Sequence, residues 1–177
     1  EIEQRKSTID AAKLAGIEVL RIINEPTAAA LAYGLQEKNQ LNNDDKILIF
    51  DLGGGTFDVT ILNIEKDKNN KQNFNILSTG SNKFLGGEDF DNKLVDYVLD
   101  DFCKIIDEPI ENIKRDKKAI KRLKISCENI KRVLSVEDET TLCINNFYKG
   151  QDILIPIDRR TFEDICEELF EKLKKPV

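Results

Sequence analysis

The apolar positions of the chain follow two rhythms. Up to about residue 85, short apolar runs alternate with helical stretches; beyond it, apolar residues recur every three or four positions. Residues 4–15 carry Ile9, Ala12 and Leu14–Ala15 on one side of a predicted helix, and Gly16 suits the turn that ends it. Ile17, Val19, Leu20, Ile22 and Ile23 form a near-continuous run that predicts a buried strand. Asn24-Glu25-Pro26-Thr27 turns the chain, because Pro26 disfavours helix at Glu25 and suits the start of a new one. The Ala-rich residues 27–35 read as that helix, closed by Gly34 and a polar stretch to Lys46. Residues 47–52 predict a second buried strand, and Gly53-Gly54-Gly55 a tight turn whose backbone is free to take positive φ. Phe57, Val59, Ile61 and Ile64 lie on or near a strand with a period close to two. Residues 66–73 read as a polar loop and Phe74–Leu77 as a short strand.

After Gly86-Gly87 the helical rhythm takes over. Phe90, Leu94, Val98 and Phe102 recur every fourth residue, one stripe of a long helix. Ile120, Leu123, Cys127, Ile130 and Leu134 define a second amphipathic helix. Between them, residues 107–118 read as a helix–helix loop. Thr141, Cys143, Asn145 and Phe147 begin a strand, residues 148–151 turn it, and Ile153, Ile155 and Ile157 alternate as its partner. Thr161 is a candidate cap for a last helix with Phe162, Ile165, Leu169 and Leu173 on its buried side. The mixture of strands and helices is an α/β signature, with residues 86–166 a separate helix-and-hairpin subdomain.

Composition removes several classes of function. The 177 residues suffice for one domain or two small ones, and a 40% hydrophobic, 34% charged chain has the balance of a folded globular protein. The net charge of −6, without a basic block, argues against nucleic-acid binding. The Lys/Arg-rich stretch from Lys114 to Lys124 reads as the solvated face of a helix. No apolar run approaches the roughly 20 residues needed to cross a bilayer, so no membrane partner is expected. The absence of His excludes Ser-His and Cys-His catalysis and most zinc sites. Cys103, Cys127, Cys143 and Cys166 form no C-x-x-C pair, and the pattern favours free thiols in a reducing compartment. The chain begins inside one helical pattern and ends just after another, as expected of a piece cut from a longer protein.

Four constellations remain. Asp51-Leu52-Gly53-Gly54-Gly55-Thr56-Phe57-Asp58 follows a strand with three glycines whose bare N–H groups can cradle an anion. Asp51 and Asp58 can hold a hydrated Mg²⁺, which needs only one or two carboxylates beside phosphate oxygens, and the Thr56 hydroxyl can donate to a phosphate. The same letters also describe a plain Gly-rich hairpin, and no Lys-Ser/Thr follows to make a Walker loop. Glu25, at the end of a predicted strand, can position a metal-bound or attacking water, or simply form the turn. Glu128, Lys131, Arg132 and Ser135 share one helix face, offering an acceptor, two cations and a hydroxyl. That set suits ribose hydroxyls and a base under the Arg plane, or a surface salt-link ladder. Gly86-Gly87-Glu88-Asp89 opens a helix, where acidic side chains suit the dipole and free N–H groups could meet phosphate.

Taken in order, these stretches resemble the DnaK-type heat-shock chaperone family. Arg21 to Ala30 followed by Leu31-Ala32-Tyr33-Gly34-Leu35, Asp51 to Asp58, Leu85 to Asp91, and Glu128 to Ser135 each resemble a stretch of that family's ATP-binding domain, and the resemblance spans almost the whole chain. It implies an actin-like, ribonuclease-H-type ATPase fold. Residues 1–38 would be the end of a first-lobe segment and a crossing helix. Residues 39–85 and 167–177 would be the base of a second lobe, and 86–166 its upper subdomain. It also implies ATP or ADP with Mg²⁺ as ligands. Gly53, Gly54, Gly55, Gly86 and Gly87 would lie at the phosphates and Thr56 near the terminal one. Asp51 would orient the metal and attacking water, with Glu25 and Asp58 in the metal's water shell. Glu128, Lys131, Arg132 and Ser135 would hold adenosine.

By the same resemblance a first phosphate loop, a catalytic Lys and a second adenosine loop lie outside the chain, so this piece alone is expected not to hydrolyse ATP. Implied partners are nucleotide-exchange factors on 86–166, J-domain co-chaperones and unfolded client peptides. The long 66–73 loop puts J-domain docking in question, and Thr79-Gly80-Ser81-Asn82 stands where the family pattern has a Gly-Asp turn. The Ser126-Cys127-Glu128 context is closer to cytosolic members, giving an expected cytoplasmic location. Two alternatives stay open: a non-hydrolysing relative that serves as an interaction platform, and a bacterial actin-like filament protein.

Overall fold

A computed structural model describes residues 2–36, 42–69 and 72–177. The chain divides into two compact units, residues 1–49 with 59–79, and residues 50–58 with 80–177.

The first unit opens with α1 (Ile2–Leu14). Its backbone ends at Gly16, φ 74°, the left-handed turn that the glycine predicts. The expected apolar side is not buried: Ile9 and Ala12 are half-buried and Leu14 is 90% exposed. The predicted strand over Ile17–Ile23 does not form, and Ile17, Leu20 and Ile23 are exposed. A buried strand needs a neighbour for its backbone groups, and no described strand pairs with this run. Its side-chain pattern alone cannot create one. α2 (Glu25–Gln36) starts at Glu25, with Pro26 in the first turn, where its missing N–H leaves no hydrogen bond unmade.

β1 (Lys46–Leu52), β2 (Phe57–Lys66) and β3 (Gln72–Asn82) form a three-stranded sheet in that order. The central strand carries the burial: Phe57, Val59, Leu62 and Ile64 are almost inaccessible. β1, expected to be buried, is an edge strand with Leu48 52% and Phe50 48% exposed. β3 is much longer than the expected Phe74–Leu77 and runs through Thr79-Gly80-Ser81-Asn82, which is therefore strand and not a turn. Of the expected 66–73 loop, Lys66 belongs to β2, residues 67–69 turn the chain, Gln72 and Asn73 belong to β3, and 70–71 lie outside the described residues.

The second unit holds α3 (Gly87–Ile106), α4 (Ile110–Arg115), α5 (Lys117–Val133), β4 (Glu139–Tyr148), β5 (Gln151–Asp158) and α6 (Arg159–Lys174). Leu94, Val98 and Phe102 of α3, and Leu123, Cys127 and Ile130 of α5, pack into one core with the inner face of the hairpin. Phe102 meets Phe147 edge-on at 5.2 Å, the geometry that aromatic quadrupoles favour. The expected 107–118 loop contains the short helix α4, which buries Ile113; Asp116 then caps α5 by accepting from the N–H groups of Lys118 and Ala119. The Lys114–Lys124 stretch is accordingly split between two helices.

In the hairpin, Lys149 (φ 47°) and Gly150 (φ 82°) make the tight turn. The burial phase of β4 changes partway. Leu142 and Ile144 point inward, then a register shift between Ile144 and Tyr148 brings Phe147 to the same face. Arg122 of α5 donates to the carbonyls of Asn145 and Asn146 inside that bulge, so they are not left unpaired. The cap of α6 is Asp158, not Thr161: the Asp158 carboxylate accepts from the Thr161 N–H at 2.7 Å. Among the described residues no helix is long and apolar enough to cross a membrane.

Candidate functional site

The glycine turn between β1 and β2 is closed by the Gly53 N–H donating to the Thr56 carbonyl at 2.9 Å. None of Gly53, Gly54 or Gly55 has positive φ, which corrects the expected reason for the glycines. Close approach is the requirement that the structure does show. The start of α3 lies directly on this turn, with Gly87 N–H donating to the Gly53 carbonyl at 2.9 Å and Glu88 N–H to the Gly54 carbonyl at 2.8 Å. A β carbon on Gly86 would stand 2.3 Å from the Gly54 oxygen, so only glycine fits. The Asp89 carboxylate accepts from the Gly86 N–H at 2.8 Å, half of a capping box. The amides of Gly86 and Gly87, expected to be free for an anion, are therefore engaged within the protein. By contrast, a β carbon on Gly54 or Gly55 would meet nothing within 4 Å. These two glycines border open space.

Asp51 is exposed near the end of β1 and Asp58 half-buried near the start of β2, on the two sides of the turn; Thr56 is exposed. Glu25 is exposed at the first residue of α2, in the other unit. No group of three or more Cys, Asp or Glu side chains that could hold a metal occurs among the described residues.

On α5, Glu128 and Arg132 form an i,i+4 ion pair at 2.5 Å with both side chains accessible. Ser135 donates to the Lys131 carbonyl at 3.2 Å. Lys131 is bound more deeply, its Nζ 2.8 Å from Asp91 Oδ1 and donating to the Gly87 carbonyl at 3.0 Å. Gly87, Lys131, Arg132 and Ser135 line one cleft of about 570 Å³. Its apolar walls are Leu52, Phe90, Leu134, Phe162 and Phe170, with Phe90 and Phe170 edge-on at 5.1 Å. Arg159 and Glu163 complete the lining. A volume of this size with an aromatic floor and a few convergent polar groups is that of a small-ligand site.

Sequence reasoning missed Asp91, Arg159 and the lining role of Phe162 and Phe170. Asp91 was legible only as part of a helix start and Phe162 only as part of a helix stripe, and Phe170 lay outside that stripe. A cleft of about 680 Å³ in the first unit, lined by Ala29, Ala30, Tyr33 and residues 45–49, contains none of the candidate catalytic, nucleotide or metal residues.

The chain thus combines mixed helix and sheet with a glycine turn under a helix start and a cleft lined by Lys, Arg and Ser. The family model Hsp70 protein matches residues 2–177, and the chain belongs to the Hsp70 family. It is 44% identical over 174 residues to heat shock 70 kDa protein 2 of Paracoccidioides lutzii, covering 98% of this chain and 25% of that protein. It is 42% identical over 174 residues to heat shock cognate 70 kDa protein 3 of Dictyostelium discoideum, covering 98% and 26%. A heat shock protein 70 homolog of Acanthamoeba polyphaga mimivirus is 42% identical over 175 residues, covering 98% and 18%. The chain thus spans about a quarter of the length of the first two relatives and 18% of the third.

Proposed function

We propose that this chain is part of the ATP-binding domain of a heat-shock chaperone, with an actin-like, ribonuclease-H-type fold, and holds adenosine in the α5–α6 cleft and phosphates over the glycine turn. One observation carries the reading: Lys131, Arg132 and Ser135 share a cleft with the Phe90/Phe162/Phe170 cluster. An aromatic floor accepts a base, the guanidinium plane stacks on it, and Glu128, Lys131 and Ser135 supply ribose partners. Gly54 and Gly55 have no neighbour that demands glycine, so close approach of a phosphate accounts for them. Two carboxylates flanking that turn, Asp51 and Asp58, fit a hydrated Mg²⁺, which would neutralise phosphate charge when bound. By the family resemblance Asp51 would orient the attacking water, Glu25 would belong to the metal's water shell and Thr56 would stand near the terminal phosphate.

The parent protein couples ATP hydrolysis to binding and release of client peptides in the cytoplasm. Residues 1–38 close a first lobe; 39–85 with 167–177 form the base of a second, and 86–166 its upper part, where exchange factors grip. J-domain co-chaperones are further partners. This chain alone does not turn over ATP, since groups that act as a unit lose most of their rate when members are removed. Calorimetric titration of Mg-ADP and Mg-ATP into the chain, beside Glu128→Ala/Arg132→Ala, tests the reading. Binding that the double variant abolishes supports it; binding indifferent to the double variant removes the adenosine assignment.

A further inference from the structure

We infer that Asp91 is a positioning residue of the cleft: its carboxylate holds the Lys131 ammonium against the start of α3, ready for the ligand. The inference deepens the proposed nucleotide reading and rests on it.

Three observations meet at this pair. Asp91 and Lys131 are the least exposed ion pair among those of the described residues, with side chains 15% and 23% accessible. Asp91 Oδ1 is buried and has no hydrogen-bond partner of proper geometry; only the Lys131 charge, 2.8 Å away, compensates it. The Lys131 ammonium also donates to the Gly87 carbonyl at 3.0 Å, and a β carbon on Gly87 would stand 3.1 Å from Nζ. A lysine ammonium has three N–H groups and four flexible methylenes behind them. Asp91 and the Gly87 carbonyl occupy two directions, which removes most of the side chain's rotational freedom before any ligand arrives. Ordering a long side chain on binding would otherwise weaken affinity, so the restraint belongs to ligand recognition as well as to packing.

The neighbouring ion pairs differ. Glu128–Arg132 and Lys93–Glu168 are open to solvent, where screening leaves little restraint. Lys131 is therefore a cleft cation whose position is fixed from behind by a carboxylate shielded from solvent, and Asp91 supplies that carboxylate.

The test is a double-mutant cycle in the full-length protein, reading affinity for adenosine and, separately, for Mg-pyrophosphate. Asp91→Asn keeps the shape and removes the charge. It is expected to weaken adenosine binding about tenfold, a normal size for coupling within one network, and to leave Mg-pyrophosphate binding unchanged. Lys131→Ala is expected to weaken adenosine binding as well, and the two changes together to weaken it no more than Lys131→Ala alone. Asp91→Glu, which restores the charge, is expected to recover most of the affinity.

Additive losses, or an equal loss for pyrophosphate, would overturn the positioning role. Failure of both Asp91→Asn and Asp91→Ser to fold would assign Asp91 to stability and overturn it too. A separate result, adenosine binding indifferent to Lys131→Ala, would instead remove the nucleotide reading on which the inference stands.

Discussion

The Cα of Gly86 lies so close to Gly54 that a β carbon added there would stand 2.3 Å from the Gly54 carbonyl oxygen, well inside van der Waals contact. The helix start and the glycine turn are therefore packed backbone to backbone. Gly86→Ala must push the two apart, with an expected loss of about 1–3 kcal/mol in urea unfolding, the range of overpacked sites. Gly55→Ala meets nothing within 4 Å and should leave stability within about 0.5 kcal/mol of the parent. If phosphate approaches this turn, Gly55→Ala weakens Mg-ADP binding nonetheless, so the pair separates a folding requirement from a ligand requirement.

Phe102→Ala tests the core of the second unit. Phe102 is 2% exposed and stacks edge-on against Phe147 across the α3–β4 contact. Its truncation should destabilise by about 3–5 kcal/mol. Val136→Ala, at a residue 78% exposed, should change stability by less than about 0.5 kcal/mol under the same denaturant titration.

The thiols should divide by burial. Burial, with the Asp91 charge adding to it, pushes the Cys127 thiol from an ordinary 9.0 up to about 12. Burial likewise pushes Cys166 up to about 12 and raises Cys103, whereas Cys143 is exposed. Alkylation followed by mass spectrometry at pH 8 should modify Cys143 first, and Cys127 and Cys166 only after denaturation. A folded-state value above the unfolded one means that the stabilisation is complete below pH 9.0 and is lost as pH rises toward about 12. Alkaline unfolding within that window is the matching calorimetric result.

Asp158 caps α6, and the hydroxyl and backbone N–H of Thr161 hold its carboxyl below the usual carboxylate range. Asp158→Ala should lower the melting temperature at neutral pH. Because the folded-state value is depressed, the contribution is present above the unfolded carboxylate pKa of about 3.9 and disappears as pH falls through the lower folded value. The gap between parent and variant should close on acidification; a gap that persists at pH 2 would exclude the cap as its cause.

Helices with a complete apolar stripe were readable from the chain because their burial partners lie within the same unit: Leu94 and Val98 of α3 share a core with Leu123 and Cys127 of α5. The Ile17–Ile23 run was misread for the opposite reason. Its pattern states a demand for burial, and what meets that demand is a property of neighbours and not of the run. β1 shows the same limit in milder form, since its strand forms but its edge position leaves Leu48 and Phe50 exposed. At the site, the Glu128 to Ser135 face was legible through helical spacing. The Asp91–Lys131 pair was not, because the two side chains stand 40 positions apart in the chain and only packing of α3 on α5 brings them together. The bulge before Phe147 was also hidden: the alternation through Thr141, Cys143, Asn145 and Phe147 gives the wrong phase ahead of it, where Leu142 and Ile144 are the buried residues.

Arg159 stands at the first residue of α6 and reaches back to the end of α5. Its Nε donates to the Leu134 carbonyl at 2.8 Å, its Nη2 to the Glu137 carbonyl at 3.0 Å, and its Nη1 lies 3.1 Å from Asp138 Oδ1. One guanidinium thus rivets the exit of one helix to the entrance of the other at the mouth of the cleft. Parting those helices would strip several partners from a single cation at once, so the aperture there behaves as one mechanical piece.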